Sequence, residues 1–375
     1  MPIPDVTDLT RELIRLNTVN PPGNEESAAK LCGAWLAKNG FEVEYIPYEE
    51  NRLHLVARNK SGKGERPLVF SGHFDTVPFA VENWTVSPLG GDIKDGKIYG
   101  RGSSDMKGGL AAMMVAAIRA VRQKPDADVC LVFTAGEETG CQGAEHLVAT
   151  YKEFAGAKGI VVAEPTGNIP AIGHKGALYL NITATGKTAH SSMPHLGDNA
   201  IYKVARAILK AESFDFEEER HPLLGLSTLN VGKMQGGANL NSVPDYALFT
   251  IDARTTPHTR HGDLLQRLTL ALGTEVAIET LVDMEAVSTN ETDPFVQLVY
   301  RACGITGQAA GYPKSLPYLT DGAVLQPAFN GAPLVILGPG EPEMAHKTDE
   351  FCCLDKLANA VEIYTKIILK GDSLQ

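Results

Sequence analysis

Four stretches of the chain are apolar without alternation: PLVFSG up to Gly72, DVCLVFTA up to Ala135, GIVVA up to Ala163, and APLVILGPG near the C-terminus. Short continuous apolar runs of this kind predict strands buried on both faces, as in a parallel sheet covered by helices. Helical spacing surrounds them. Leu9, Leu13 and Leu16 recur within a helix over roughly Val6 to Leu16, and a second helix begins at Glu25 and Glu26 and stops at Asn39-Gly40, where a C-cap is expected. Strands follow around Glu42 to Pro47 and Leu53 to Arg58. GGLAAMMVAAIRAV, interrupted by Arg119 and too short to span a bilayer, reads as a buried helix.

Between Lys175 and Val287 the pattern changes character. GALYLNITATG predicts a strand, NAIYKVARAIL a helix, STLNVGK and YALFTIDAR two strands, DLLQRLTLAL a helix and VAIETL a last strand. The order βαββαβ is ferredoxin-like. The expected organisation is an α/β domain formed by residues 1–175 and 288–375, with residues 176–287 inserted as a second domain. The chain shows no internal repeat and no low-complexity segment.

Composition narrows the function. The 34 basic and 45 acidic residues leave a formal charge of -11 and no basic stripe, which argues against a nucleic-acid partner. The start, MPIPDVTDLTREL, lacks the features of a secretory signal, and nothing reads as a membrane span. Six scattered cysteines with no CxxC spacing predict a reduced, cytoplasmic protein without a disulfide frame or a cysteine zinc cluster. Neither a GxGxxG nor a GxxxxGK[ST] run follows any strand, so nucleotide binding is disfavoured.

The chemistry sits where the apolar strands end. PLVFSG runs directly into HFDTVP, placing His73 at a strand's carboxyl end, where open α/β sheets bind their ligands, with Asp75 two residues on to hold the imidazole. DVCLVFTA runs into Gly136, Glu137 and Glu138, and GIVVA into Glu164. The last strand leads to His346, and Asp105 lies in the glycine-rich bend GRGSSDMKGG ahead of a helix. Each residue alone also reads as a capped turn or a solvated loop. Together, two imidazoles and three carboxylates suit zinc, cobalt or manganese, and five ligands exceed one tetrahedral ion. They fit two ions about 3.5–4 Å apart if one carboxylate bridges. Adjacent glutamates cannot easily both ligate one ion, which leaves one of Glu137 and Glu138 free to work on water as a general base.

HFDTVP, GRGSSDMKGG, the GEE of TAGEETG, the AEP at Glu164 and GPGEPEMAHKTDE resemble the ordered signatures of the M20 metallopeptidase family, the group of acetylornithine deacetylase and succinyl-diaminopimelate desuccinylase. The resemblance implies an α/β/α catalytic domain with an inserted ferredoxin-like dimerisation or lid domain, and a homodimer paired through it. It implies that Asp105 bridges two divalent ions, most often zinc. His73 and Glu164 complete one site, Glu138 and His346 the other. Asp75 orients His73, and Glu137 is the general base. A cis peptide after Asp105 is expected on the same ground. In the inserted domain, His190 within TGKTAHSSMPHLGDNA is the expected oxyanion donor, reaching a partner subunit's site, while His195 has no assigned role. Asn239 and Asn241 in GGANLNSVP, and Arg254 in IDAR, resemble substrate contacts. An arginine fork suits a substrate carboxylate. Lys175 stands where some desuccinylase relatives place an arginine, and binds a carboxylate only as a point charge. The expected activity is hydrolysis of N-acyl amino acids. A dipeptidase or carboxypeptidase is the nearest alternative, and a non-catalytic small-molecule binder the alternative from another class.

Overall fold

The computed structural model describes residues 2–60, 66–79, 84–123, 128–305, 314–371 and 374. It divides into two compact units, one comprising Met1–Gly173, Thr289–Leu316 and Thr320–Gln375, the other His174–Ser288 with Pro317–Leu319. Lys175 therefore belongs to the second unit.

The first unit is built on a six-stranded sheet in the order Glu42–Glu49, Arg52–Asn59, Val129–Thr134, Leu68–His73, Gly159–Val162, Leu334–Ile336. The last four strands run parallel and are buried throughout, as their unbroken apolar sequences require. Their carboxyl ends consequently open on one edge. Asp5 caps the Val6–Arg15 helix by accepting the amides of Thr7 and Asp8, and that helix buries Leu9, Leu13 and Ile14. It packs with the Gly108–Val121 and Leu354–Lys370 helices. Gly109 is required by proximity: a Cβ there would sit 2.5 Å from the Ala163 carbonyl, at the strand end that delivers Glu164.

A small three-stranded sheet joins Asp92–Lys94 and Lys97–Tyr99 to Phe351–Cys353. Its register sets Phe351 opposite Tyr99, and Gly100 donates to the Glu350 carbonyl at 2.9 Å. A residue near the C-terminus is thereby placed beside the bend that holds Asp105.

The second unit follows the expected βαββαβ order: strand Gly176–Thr185, helix Ala200–Glu212, strands Thr228–Gly236 and Tyr246–Thr255, helix His261–Leu272, strand Ala277–Met284. The antiparallel sheet runs Thr228–Gly236, Tyr246–Thr255, Gly176–Thr185, Ala277–Met284. Strand residues alternate in burial, and Leu178, Leu180, Ile182, Phe249 and Ile251 meet Val204, Leu264 and Leu268 in one core. No helix among the described residues is long and apolar enough to cross a membrane.

Candidate metal centre

At the shared carboxyl edge the structure brings together all five predicted ligands. His73 ends its strand, with Nδ1 2.9 Å from the Asp75 carbonyl oxygen and Nε2 3.2 Å from Asp105 Oδ1 and 3.7 Å from Glu164 Oε1. The main-chain contact assigns the Nδ1 proton, so Nε2, which faces the carboxylates, is the ring nitrogen open to an ion. On the other side of Asp105, His346 Nε2 lies 3.5 Å from Oδ2 and 3.0 Å from Glu138 Oε2. His73, Asp105 and Glu164 form one group of potential ligand atoms, and Asp105, Glu138 and His346 another. Asp105 is the member common to both.

Asp75 meets His73 chiefly through its main chain: His73 Nδ1 bonds to the Asp75 carbonyl oxygen at 2.9 Å, while carboxylate Oδ1 lies 3.6 Å away, at ion-pair distance. Oδ1 accepts the amides of Gly136 and Glu137 at 3.0 and 3.1 Å, and Oδ2 accepts Glu138 N at 3.1 Å and Asn20 Nδ2 at 2.9 Å. Three successive amides converge because Gly136 turns the chain with φ 82°. The Asp75 carboxylate therefore shapes the turn that carries both glutamates.

Glu350 does the same for the Asp105 bend, a function that sequence reading missed. It is fully buried, accepts the amides of Gly102, Ser104 and Asp105 at 2.9, 2.8 and 3.0 Å, and pairs with Arg101 at 2.8 Å. Its only sequence signal is its place in the late EMAHKTDE stretch, four residues after His346. The Asp105–Met106 peptide is cis.

The electrostatics follow from crowding. Burial pushes Glu137, Glu138 and Glu164 above the ordinary carboxylate range, and neighbouring carboxylates push them further. Burial acts the same way on Asp105, but His346 and His73 outweigh it and hold its carboxyl low. Hydrogen bonds to Asp105 and Glu138 push His346 up to about 10. Glu138 Oε1 is buried with no hydrogen-bond partner among the described residues. Cations would relieve both the mutual repulsion of the carboxylates and this orphaned oxygen, and the oxygen-imidazole donor set suits divalent ions.

The remaining candidates lie in the second unit. Ser191 N donates to Asn241 O, Val243 N donates to Ala189 O, and His190 bridges to Ser242, so the His190 loop and the GGANLNSVP segment are held together. Asn239 and Asn241 are exposed. His190 Nδ1 accepts the Ser192 amide at 3.2 Å and lies 2.8 Å from the Ser192 hydroxyl, so Nε2 is the ring nitrogen not engaged by this loop. Arg254 turns its fork back on the sheet: Nε and an Nη reach Asp252 of its own strand at 2.7 and 3.3 Å, and an Nη meets the Tyr179 hydroxyl of the neighbouring strand. Residues two apart in a strand share a face, which explains the pairing. Lys175 donates to the Leu226 carbonyl.

Ligand groups sharing one carboxylate, at the ligand-binding edge of an α/β sheet, define a metal-dependent hydrolase. The chain belongs to peptidase family M20/M25/M40, whose description matches residues 69–370. Among its relatives are a Staphylococcus epidermidis protein named "Probable succinyl-diaminopimelate desuccinylase", 30% identical with 97% of this chain and 96% of that protein covered, and the acetylornithine deacetylase of Vibrio vulnificus, 30% identical with 99% of each covered. Among solved structures, an M20 family metallo-carboxypeptidase from Sulfolobus solfataricus has the same fold at TM-score 0.80, with 17% identity and 99% and 100% of the two chains covered. An aminopeptidase from Bacillus cereus aligns at TM-score 0.76 and 24% identity, with 98% of each chain covered.

Proposed function

We propose that this hydrolase removes the acyl group from an N-acyl amino acid, and the observation that carries the reading is Asp105 lying between two ligand groups, with Glu137 adjoining the ligand Glu138. His73, Asp105 and Glu164 would hold one divalent ion and Asp105, Glu138 and His346 the other, with zinc favoured and cobalt or manganese compatible. When bound, such ions polarise a scissile carbonyl and acidify water. Glu137 takes the proton from the attacking water and passes it to the departing amine. Its burial among carboxylates keeps its basicity high enough for that role.

His190 presents Nε2–H to the developing oxyanion, in our reading from the partner subunit of a homodimer paired through the inserted unit. The exposed outer strand Thr228–Gly236 and the apolar side chains Tyr202 and Leu209 on the neighbouring helix support such a surface. Asn239, Asn241, Arg254 and Lys175 are assigned to substrate, Arg254 to its free carboxylate. The names of the relatives at 30% identity support deacylation over peptide cleavage. We assign a reduced, cytoplasmic setting because the six cysteines are scattered without CxxC spacing.

The test is turnover of a panel of N-acyl amino acids and dipeptides by metal-loaded protein. Faster release from N-acetyl or N-succinyl amino acids than from any dipeptide supports the reading. Preference for dipeptides would make the protein a peptidase of the same family, and no turnover of either class would remove the proposal.

A further inference from the structure

Glu137 belongs to a second cluster besides the one at the metal centre. A Glu137 carboxylate oxygen, Cys141 Sγ and an Asp321 carboxylate oxygen lie within 4.8 Å of one another. Cys141 is fully buried at the start of the Gln142–Thr150 helix, with Sγ 3.6 Å from Glu137 Oε1. Asp321 is 1% exposed and opens the Gly322–Ala328 helix. Its Oδ2 accepts the Thr134 hydroxyl, while its Oδ1 is buried with no hydrogen-bond partner among the described residues. Leaving a carboxylate oxygen buried and unpaired is costly, and such an atom beside a thiol and a second carboxylate is a ready ligand.

We propose that Glu137, Cys141 and Asp321 form a third cation site, separate from the two groups that share Asp105, which takes up a thiophilic divalent ion such as zinc or cadmium when that ion is in excess. The thiol selects the ion. Thiolate favours zinc and its heavier congener over manganese, magnesium or calcium, which prefer oxygen alone. As the sulfur–metal bond forms, the Cys141 proton leaves to solvent, and the two carboxylates each contribute one oxygen, with no change of oxidation state. Competition from that proton, in a buried site, sets the affinity below that of the two main groups. The consequence rests on the reading of Glu137 as the general base: an ion held by its carboxylate removes the proton acceptor, so excess zinc inhibits the enzyme it activates at lower concentration.

The test uses the full-length protein, equilibrated with rising cadmium, with bound metal counted by elemental analysis and the cadmium–thiolate charge-transfer absorption followed in parallel. Wild type should bind one ion more than Cys141→Ser and show an absorption band that this variant lacks. Asp321→Asn, which keeps the thiol, should need at least tenfold more cadmium for the same band. Manganese should add no third ion. Equal ion counts in wild type and Cys141→Ser, or a band that survives that substitution, would overturn the site. So would an unshifted Asp321→Asn titration. Turnover recorded on the same samples separates the two readings, because a third ion with its band and undiminished hydrolysis upholds the site and removes Glu137 from the role of base.

Discussion

Replacing Asp75 with asparagine separates the geometry seen here from the simpler idea that its carboxylate steadies His73. The carboxylate is fully buried and accepts four donors: Gly136 N, Glu137 N, Glu138 N and Asn20 Nδ2. An asparagine keeps one acceptor oxygen, enough for Gly136 and Glu137, but sets an NH₂ where Glu138 N and Asn20 Nδ2 arrive. Asn20 can turn its amide and offer its oxygen; the Glu138 amide cannot. One hydrogen bond to a charged acceptor is then lost, about 1.5–3 kcal/mol, or roughly ten- to hundredfold in the unfolding equilibrium at about 1.4 kcal/mol per decade. Urea unfolding of the metal-free protein measures the loss. Cobalt-loaded Asp75→Asn should further resemble Glu138→Gln in its absorption and ion count, since the loosened turn carries Glu138. His73 is held through a main-chain carbonyl that the substitution leaves in place. Unchanged stability, with a spectrum resembling Glu164→Gln instead, would refute this reasoning.

Three further outcomes are expected. Arg254→Ala should lower kcat/KM by about one to two orders of magnitude on substrates with a free carboxylate and far less on the matching amides; an equal loss on both, with a lower melting temperature, would reduce Arg254 to the Asp252 pair seen here. His190→Ala should retain its metal and lose about 10²–10³ in kcat, and mixing it with inactive Glu137→Gln subunits should restore activity if the histidine serves the partner; a verified heterodimer without activity would remove that role. Burial, helped by the nearby charges of His146 and Arg52, lowers His54 to about 3 from its ordinary 6.5, so the unfolded chain binds the proton first. Its contribution is complete above pH 6.5 and falls as pH drops toward about 3, by up to about tenfold in the unfolding equilibrium per pH unit. His54→Gln, able to keep the Ala135 amide as donor, should flatten that slope in urea titrations of metal-free protein.

The inserted unit was legible in sequence because each of its elements carries its own period, down to the alternation of Leu178, Leu180 and Ile182. His73, Glu138 and Glu164 were legible because each follows an apolar run whose end is sharp. Glu350 and Asp321 were not. Their contacts reach 245 and 187 residues along the chain, to Asp105 and Thr134, and no local pattern announces a carboxylate whose partners are assembled by sheet register. Asp75 shows the same limit from the other side. Spacing placed it near His73, while the convergence of three amides on its carboxylate depends on how the Val129–Thr134 strand lies beside Leu68–His73. The residues proposed to contact substrate were least legible, because Asn239 and Asn241 lie in an exposed loop where neither packing nor periodicity constrains the residue.

The division of labour between Glu137 and Glu138 is the centre of this account, and one comparison tests it most directly: bound metal and turnover of an N-acyl amino acid, measured together on Glu137→Gln and Glu138→Gln. Glu137→Gln should hold both ions and hydrolyse almost nothing, because the ligand groups are intact and only the proton acceptor is gone. Glu138→Gln should hold a single ion. Equal metal loss in the two variants, or substantial turnover by Glu137→Gln with both ions bound, would contradict it.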